Sequence, residues 1–258
     1  MLRYDAGMAS YDIIVKGGTV IDGTGDPRKN TDIGIKYGKI DAIGDLTGAE
    51  SQRFIDASDK YVAPGFVDIT NHSDTHLTLF TYPGQESCLL QGITTIIGGN
   101  CGASLAPLAS PDAIGAIAKW VNPADININW ATFKEYLSQI EQLRLGVNYG
   151  SFVGYGTLRR GVMKNQIRPA TVQERQEIIY LLSSALEEGA FGLSLGLSYG
   201  HERVSGTDEV IEIARTLGPT GGIIKIHLRS EGKELLAAVN EVVRIGRETG
   251  IPIQISHF

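Results

Sequence analysis

Apolar and polar residues alternate over the first sixty positions, in Asp12-Ile-Ile-Val-Lys16, Thr19-Val-Ile-Asp22, Asp32-Ile-Gly-Ile-Lys36 and Lys39-Ile-Asp-Ala-Ile43. This two-residue period predicts strands, and the intervening Gly17-Gly18 and Tyr37-Gly38 predict two hairpins. A further strand pair is expected near 53–57 and 60–63, after which Pro64-Gly65 ends the sheet. A domain boundary is placed there, giving a small N-terminal β unit over 1–63 and a second unit over 64–258. Residues 1–7 read as an extension ahead of Met8, without structural importance.

Beyond Phe66 the pattern changes to short apolar runs alternating with helical periods, the signature of a parallel sheet or barrel. Strands are expected over 66–70, 93–98, 147–153, 190–195, 222–228 and 251–256. Helices are expected over 131–145, over 172–188 behind the capping box Thr171-x-x-Glu174, and over 233–249. A complete (β/α)8 barrel takes about 250 residues, more than follow Gly65. The expectation is therefore an α/β chain with a (β/α)8 barrel truncated after about six strands. The rival is a complete doubly wound sheet of six strands.

Composition agrees with a packed core: 42% of the 258 residues are hydrophobic, 20% are charged, and 32 are glycine. The net charge of −6 supplies no field attracting nucleic acid or an anionic membrane, so neither is an expected partner. No apolar stretch has membrane-spanning length, and the N-terminus lacks a basic-then-apolar signal. With two cysteines, Cys88 and Cys101, a disulfide framework is not expected and a cytoplasmic location is.

If the strands are parallel, their C-terminal ends share one face, where barrel enzymes place their chemistry. His72 follows the first strand, Cys101 the second, and His227 and His257 close the fifth and sixth. Arg159 lies beyond the third and Tyr199 beyond the fourth. A single strand-end histidine is usually structural; several metal-type side chains at equivalent positions argue for a site. Cys101 sits in Gly98-Gly-Asn-Cys-Gly102, where the glycines permit a sharp turn, whereas Cys88 reads as a small core residue. One thiolate and two imidazoles form a tetrahedral zinc set with a position left for water.

Three further groups have bland alternatives. Gly192-x-Ser194-x-Gly196 matches a nucleophile elbow, but the segment after it reads as loop. His76 and His201 read as ordinary helix or loop residues, His201 as solvated. Arg229 and Glu231 read as a pair that locks the loop after His227. Strand parity sends Lys225 and Asp68 inward, and Lys225 is expected to pair with Asp68 or another inward carboxylate, because a buried unpaired ammonium is costly.

The start Asp12-Ile-Ile-Val-Lys-Gly-Gly-Thr-Val-Ile-Asp-Gly-Thr-Gly25, the passage Val62-Ala-Pro-Gly-Phe-Val-Asp68, the run Gln91-Gly-Ile-Thr-Thr95, Gly99-Asn-Cys-Gly102, Ser104-Leu-Ala-Pro107 and Ser256-His257 together resemble the D-aminoacylase branch of the amidohydrolase superfamily. That resemblance implies a metal-bearing barrel, a small β-sandwich built from both termini, and hydrolysis of the amide of N-acyl-D-amino acids by zinc-activated water. It assigns the metal ligands to Cys101, His227 and His257. It also maps a strand-one His-x-His motif onto Thr70-Asn71-His72, leaving His72 alone near a weak second ion. The general-base aspartate is expected beyond residue 258, so the fragment alone is expected to be inactive. Arg159 is the candidate partner of a substrate carboxylate, and Tyr199 the candidate hydrogen-bond donor to the reacting carbonyl. The alternatives are a non-catalytic metal-binding relative, suggested by Thr70, and a cyclic-amide hydrolase of the same superfamily, which a lysine at the end of strand four would have favoured.

Overall fold

The computed structural model describes residues 10–258, so the reading of residues 1–7 as an extension lies outside the described residues. Two compact units meet at the Gly65–Phe66 peptide.

The first unit contains β1 (Ser10–Val20), β2 (Lys29–Lys36), β3 (Lys39–Gly44), β4 (Glu50–Asp56) and β5 (Tyr61–Val62). Its order is β3-β2-β1-β4, with β5 also on β1. The Tyr37-Gly38 hairpin forms as expected: both residues have positive φ, 52° and 73°, as a two-residue turn matched to strand twist requires. Gly17-Gly18 behaves differently. β1 runs straight through it, and the pairing with β2 shifts register between Val15 and Gly18, which makes the pair a bulge rather than a turn. Gly17 has φ 73° and donates its N–H to Asp32 Oδ1 at 2.8 Å. A Cβ on Gly18 would lie 2.5 Å from Val62 Cγ2. β4 and β5, expected to pair with one another, each pair in parallel with β1 instead.

The second unit carries β6 (Phe66–Asp68), β7 (Ile93–Gly98), β8 (Asn148–Ser151), β9 (Val153–Gly154), β10 (Gly192–Gly196), β11 (Ile223–His227) and β12 (Ile253–Ile255). Its helices are α1 (Thr78–Thr81), α2 (Glu86–Leu89), α3 (Phe133–Gln142), α4 (Tyr155–Met163), α5 (Val172–Glu187), α6 (Gly200–Arg203), α7 (Thr207–Ala214) and α8 (Leu235–Thr249). The strands pair in parallel as β6-β7-β8 and β9-β10-β11-β12. β8 and β9 flank Phe152, whose N–H donates to Gly98 O, while the Phe191 N–H donates to Ser151 O, both at 3.1 Å. They act as one interrupted strand. Within this unit strand order therefore follows chain order. A doubly wound sheet reverses its order at a switch point, so that rival is set aside.

Leu193, Leu195, Ile224 and Ile226 are fully buried, and the same core holds Ile178, Leu182 and Ala185 of α5, Val242 and Ile245 of α8, and Phe133 and Tyr136 of α3. The intervening strand residues face the other way. Ser194, Lys225 and Gln254 stand side by side in register, and Gly196 and His227 are paired two residues on, toward the strand ends. The capping box at Thr171 and Glu174 forms, and a second one, Thr132 with Glu135, opens α3. No helix among the described residues is long and apolar enough to cross a membrane.

Candidate metal centre

The loop after β7 is built so that Cys101 points inward. Gly99 and Gly102 have φ of 71° and 74°, and Cys101 itself is left-handed at 53°. A Cβ on Gly99 would collide with Phe152 O, and one on Gly102 with the Glu202 carboxylate. A non-glycine residue at positive φ persists only where its surroundings over-determine it, and here they do. Ser194 Oγ donates to Gly99 O and accepts from Gly102 N at 3.1 Å. The buried Asp74 carboxylate accepts Gly99 N at 2.6 Å. Asn100 Nδ2 donates to Asn71 O and Ile97 O, each at 2.8 Å. Ser194 is thus a clamp on the cysteine loop, fully buried and committed on both sides, which removes the nucleophile-elbow reading.

The ends of β11 and β12 bring two histidines to the same place. Ligand atoms of Cys101, His227 and His257 all lie within 4.8 Å of one another. His227 Nδ1 faces His257 Nε2 at 3.1 Å. Two nitrogens at roughly 2.0–2.1 Å from one tetrahedral zinc would stand about 3.3 Å apart, so the spacing fits such an ion. The outer nitrogens are also engaged: His227 Nε2 meets Ser198 Oγ at 2.7 Å, and His257 Nδ1 meets Glu231 Oε1 at 2.6 Å. A carboxylate behind a ligating imidazole fixes its tautomer and raises its basicity, an arrangement typical of zinc histidines. Burial lowers the His227 pKa against the opposing pull of Glu231, which keeps a lone pair available near neutrality. Burial pushes the Cys101 thiol up to about 11, so a cation is needed to hold it as thiolate.

His72 comes close to Cys101, with Nε2 3.6 Å from Sγ, and its Nδ1 meets Thr75 Oγ1 at 3.1 Å. Its ring lies 5.3 Å from that of Trp120. Burial, with His76 and Lys119 adding positive charge nearby, takes its pKa down to about 4. The Tyr199 ring lies 5.0 Å from that of His227, on the rim of the cluster.

Four expectations change. Arg159 does not face a substrate. It lies on α4, fully buried, ion-paired with Glu209, and it donates to His201 O at 2.7 Å, to the Tyr155 hydroxyl at 3.1 Å and to Arg168 O. All of its donor nitrogens are consumed inside the protein. Lys225 is buried but has no acid partner among the described residues: its ammonium donates to Ile69 O, Thr70 Oγ1 (2.7 Å) and Gln254 Oε1 (3.4 Å). Asp68 instead caps its own loop through Thr70 N and Asn71 Nδ2. His201 is buried rather than solvated, with neither ring nitrogen hydrogen-bonded. Arg229 and Glu231 do not pair: Arg229 grips Glu241, leaving Glu231 to His257.

Sequence reasoning missed Ser198, Asp74 and Glu202. Glu202, on α6, is buried and accepts Gly196 N at 2.6 Å; burial raises its pKa to about 7. Glu231 was visible in the sequence only as a carboxylate four residues after His227, in the loop beyond β11.

No family model matches the chain. It is 37% identical to a D-aminoacylase of Alcaligenes xylosoxydans xylosoxydans over 254 residues, which is 96% of this chain and 50% of that protein. An N-acyl-D-aspartate deacylase of the same organism is 38% identical, over 98% of this chain and 50% of its own length. The solved N-acyl-D-glutamate deacylase of Bordetella bronchiseptica, complexed with zinc and a phosphonate inhibitor, superimposes with a TM-score of 0.86 at 35% identity, covering 95% of this chain and 50% of that one. A D-aminoacylase with a binuclear metal centre gives 0.84 at 37% identity, with coverages of 95% and 51%. A D-hydantoinase, at 19% identity and a TM-score of 0.57, shares the fold alone. The chain spans about half the length of the curated relatives it matches, and over that span it belongs to the D-aminoacylase branch of the amidohydrolases.

Proposed function

We propose that this chain supplies the metal-binding part of a zinc-dependent amidohydrolase that cleaves the amide bond of N-acyl-D-amino acids. The convergence of Cys101, His227 and His257 within 4.8 Å carries the reading, and the Glu231 carboxylate behind His257 supports it. Zinc at such a site lowers the pKa of water and polarises a carbonyl. The remaining work falls to the protein. Glu231 and Ser198 hold the imidazoles in orientation, and the clamp of Ser194 and Asp74 keeps the Cys101 sulfur fixed. Tyr199, whose ring lies 5.0 Å from that of His227, is the residue we assign to donate a hydrogen bond to the carbonyl oxygen as it gains charge. We assign the six parallel strands to part of a (β/α)8 barrel and expect the general-base aspartate in the portion of the relatives that this chain does not span.

One tight ion is expected. The Lys225 ammonium, held on Thr70 Oγ1 where the resemblance places a histidine, contributes a fixed positive charge that acts on both Cys101 and His72. A second divalent cation beside His72 would have to overcome it. The test is metal analysis of the full-length protein and of Cys101→Ala, together with hydrolysis of N-acyl-D- and N-acyl-L-amino acids. One zinc per chain, lost in the variant, with turnover of the D series is the expected result; unchanged metal content in Cys101→Ala refutes the ligand set.

A further inference from the structure

Beside the cluster lies a cavity of about 340 Å³, lined among others by Gly102, Lys119, Arg160, Tyr199, His201 and Glu202. Gly102 follows the ligand candidate Cys101, and the Tyr199 ring lies 5.0 Å from that of His227, so cavity and cluster are neighbours. Among the described residues Lys119 makes neither an ion pair nor a hydrogen bond; its ammonium is 4.1 Å from the Trp120 ring centroid and 3.1 Å from that of Tyr199. Arg160 has one long contact, 3.5 Å to Asn165 Oδ1. His201 contributes a buried imidazole with both nitrogens free. Buried polar groups without partners are few in native structures and call for an explanation. Lys119 and Arg160 bring two basic side chains to a cavity whose lining carries one acidic side chain, Glu202, which suits an anionic group.

We propose that this cavity is a carboxylate subsite, in which Lys119, Arg160 and His201 receive a carboxylate of the N-acyl amino acid and so select acidic substrates or anchor the α-carboxylate. The role first expected of Arg159 passes to its neighbour Arg160 and to Lys119. A planar guanidinium and a mobile ammonium are the usual pair for such a group, and a neutral imidazole adds one N–H donor. Burial and the positive charge of Arg160 and Arg159 hold the His201 pKa down to about 4, so the ring is neutral near pH 7. The proposal rests on the amidohydrolase reading for the identity of its ligand, but its geometry does not depend on turnover.

The experiment uses the full-length metal-loaded protein and phosphonate analogues of N-acetyl-D-glutamate, of its γ-amide, which keeps only the α-carboxylate, and of its α-amide, which keeps only the side-chain carboxylate. Binding is followed by the fluorescence of Trp120, over which Lys119 lies. Lys119→Gln and Arg160→Gln are each expected to weaken binding of the diacid about ten- to hundredfold, the worth of a charge-assisted hydrogen bond. One of the two mono-carboxylate analogues should share that loss while the other escapes it, which names the carboxylate bound. Lys119→Arg should restore most of the affinity, as a general folding defect would not allow. Loss of less than threefold in Lys119→Gln, or equal loss for both mono-carboxylate analogues, overturns the subsite. Carboxylate-dependent binding without hydrolysis of any N-acyl-D-amino acid would leave the subsite standing and refute the proposed function.

Discussion

Replacing Arg159 by methionine separates a structural arginine from a substrate clamp. Arg159 is wholly buried and the Glu209 side chain is 7% exposed. Glu209 also accepts the Tyr155 hydroxyl at 2.5 Å and Ala170 N at 3.2 Å, so its charge stays in place when the guanidinium goes. Breaking a buried pair from one side costs about 3–5 kcal/mol, because an uncompensated charge remains. His201 O and Arg168 O would lose their donors as well, at about 1–3 kcal/mol for each group left dry; these costs overlap, and a total near 4 kcal/mol is expected. Against a typical stability of about 5–15 kcal/mol, that leaves a foldable but fragile protein. The assay is urea unfolding of the full-length protein, read as a change in midpoint at constant slope. Arg159→Met/Glu209→Leu should recover a large part of the loss, since removing both charges removes the desolvation penalty with them. A single variant within 1 kcal/mol of wild type, with a raised KM confined to carboxylate-bearing substrates, would refute this reasoning and restore Arg159 as the clamp.

Glu231→Gln should keep the fold and weaken zinc binding about 10- to 100-fold, as loss of a partner behind a ligating histidine does; competition with a chelating dye measures it, and unchanged affinity would mean that Glu231 does not orient His257. Lys225→Met should raise the affinity for a second ion, seen as a second, weaker step in a calorimetric zinc titration; a single unchanged step would deny Lys225 that role. Ser194→Ala removes two hydrogen bonds at the cysteine loop, for an expected loss of about 1–3 kcal/mol with hydrolysis reduced but not abolished; complete and selective loss of hydrolysis in a fully folded variant would revive the serine as nucleophile. His201 should make stability fall on acidification. Its pKa drops from an ordinary value near 6.5 to about 4 on folding, so between those limits the unfolded state binds more protons and stability declines as pH falls, by about 3 kcal/mol at most. His72 adds a slope of the same sign, and His201→Gln should flatten the pH dependence only in part; an unchanged slope would mean that His201 is protonated or solvated in the fold.

The parts of this architecture legible in the sequence are those set by period and by chain-local chemistry. Alternation in β11 placed Lys225 and His227 on one face, the capping box fixed the start of α5, and the strand-end positions of Cys101, His227 and His257 foretold their meeting. Glycine misled where its cause was not local. Gly154 and Gly156 stand at the start of α4, and a Cβ on either would press into the Gly102–Ala103 backbone or Glu202. They are glycines because the helix start packs against the cysteine loop. No helix was expected over this segment, and so the burial of Arg159 stayed hidden. Gly17-Gly18 failed as a hairpin for a related reason, since the constraint on Gly18 comes from Val62, more than forty residues away. Side-chain partners resisted inference for the same cause: whether Glu231 meets Arg229 or His257 depends on where β12 ends relative to β11.

The cysteine loop links these observations into one physical argument. Cys101 is held in the left-handed region, which a fold retains only if the surroundings fix it, and burial disfavours its thiolate form. Ser194 from β10, Asp74 from the segment after β6, and Asn100 within the loop each contribute a hydrogen bond to that constraint, while Glu202 fills the space that a side chain at residue 102 would need. These contacts come from elements widely spaced in the chain, so the loop reaches its final shape only once the parallel strands have assembled in order. The proposed donor set is then completed by His227 and His257 beside the ends of β11 and β12. Metal affinity in this protein should therefore be coupled to the folding of the whole parallel arc, since the ligands share no local segment that could hold an ion before the strands pair.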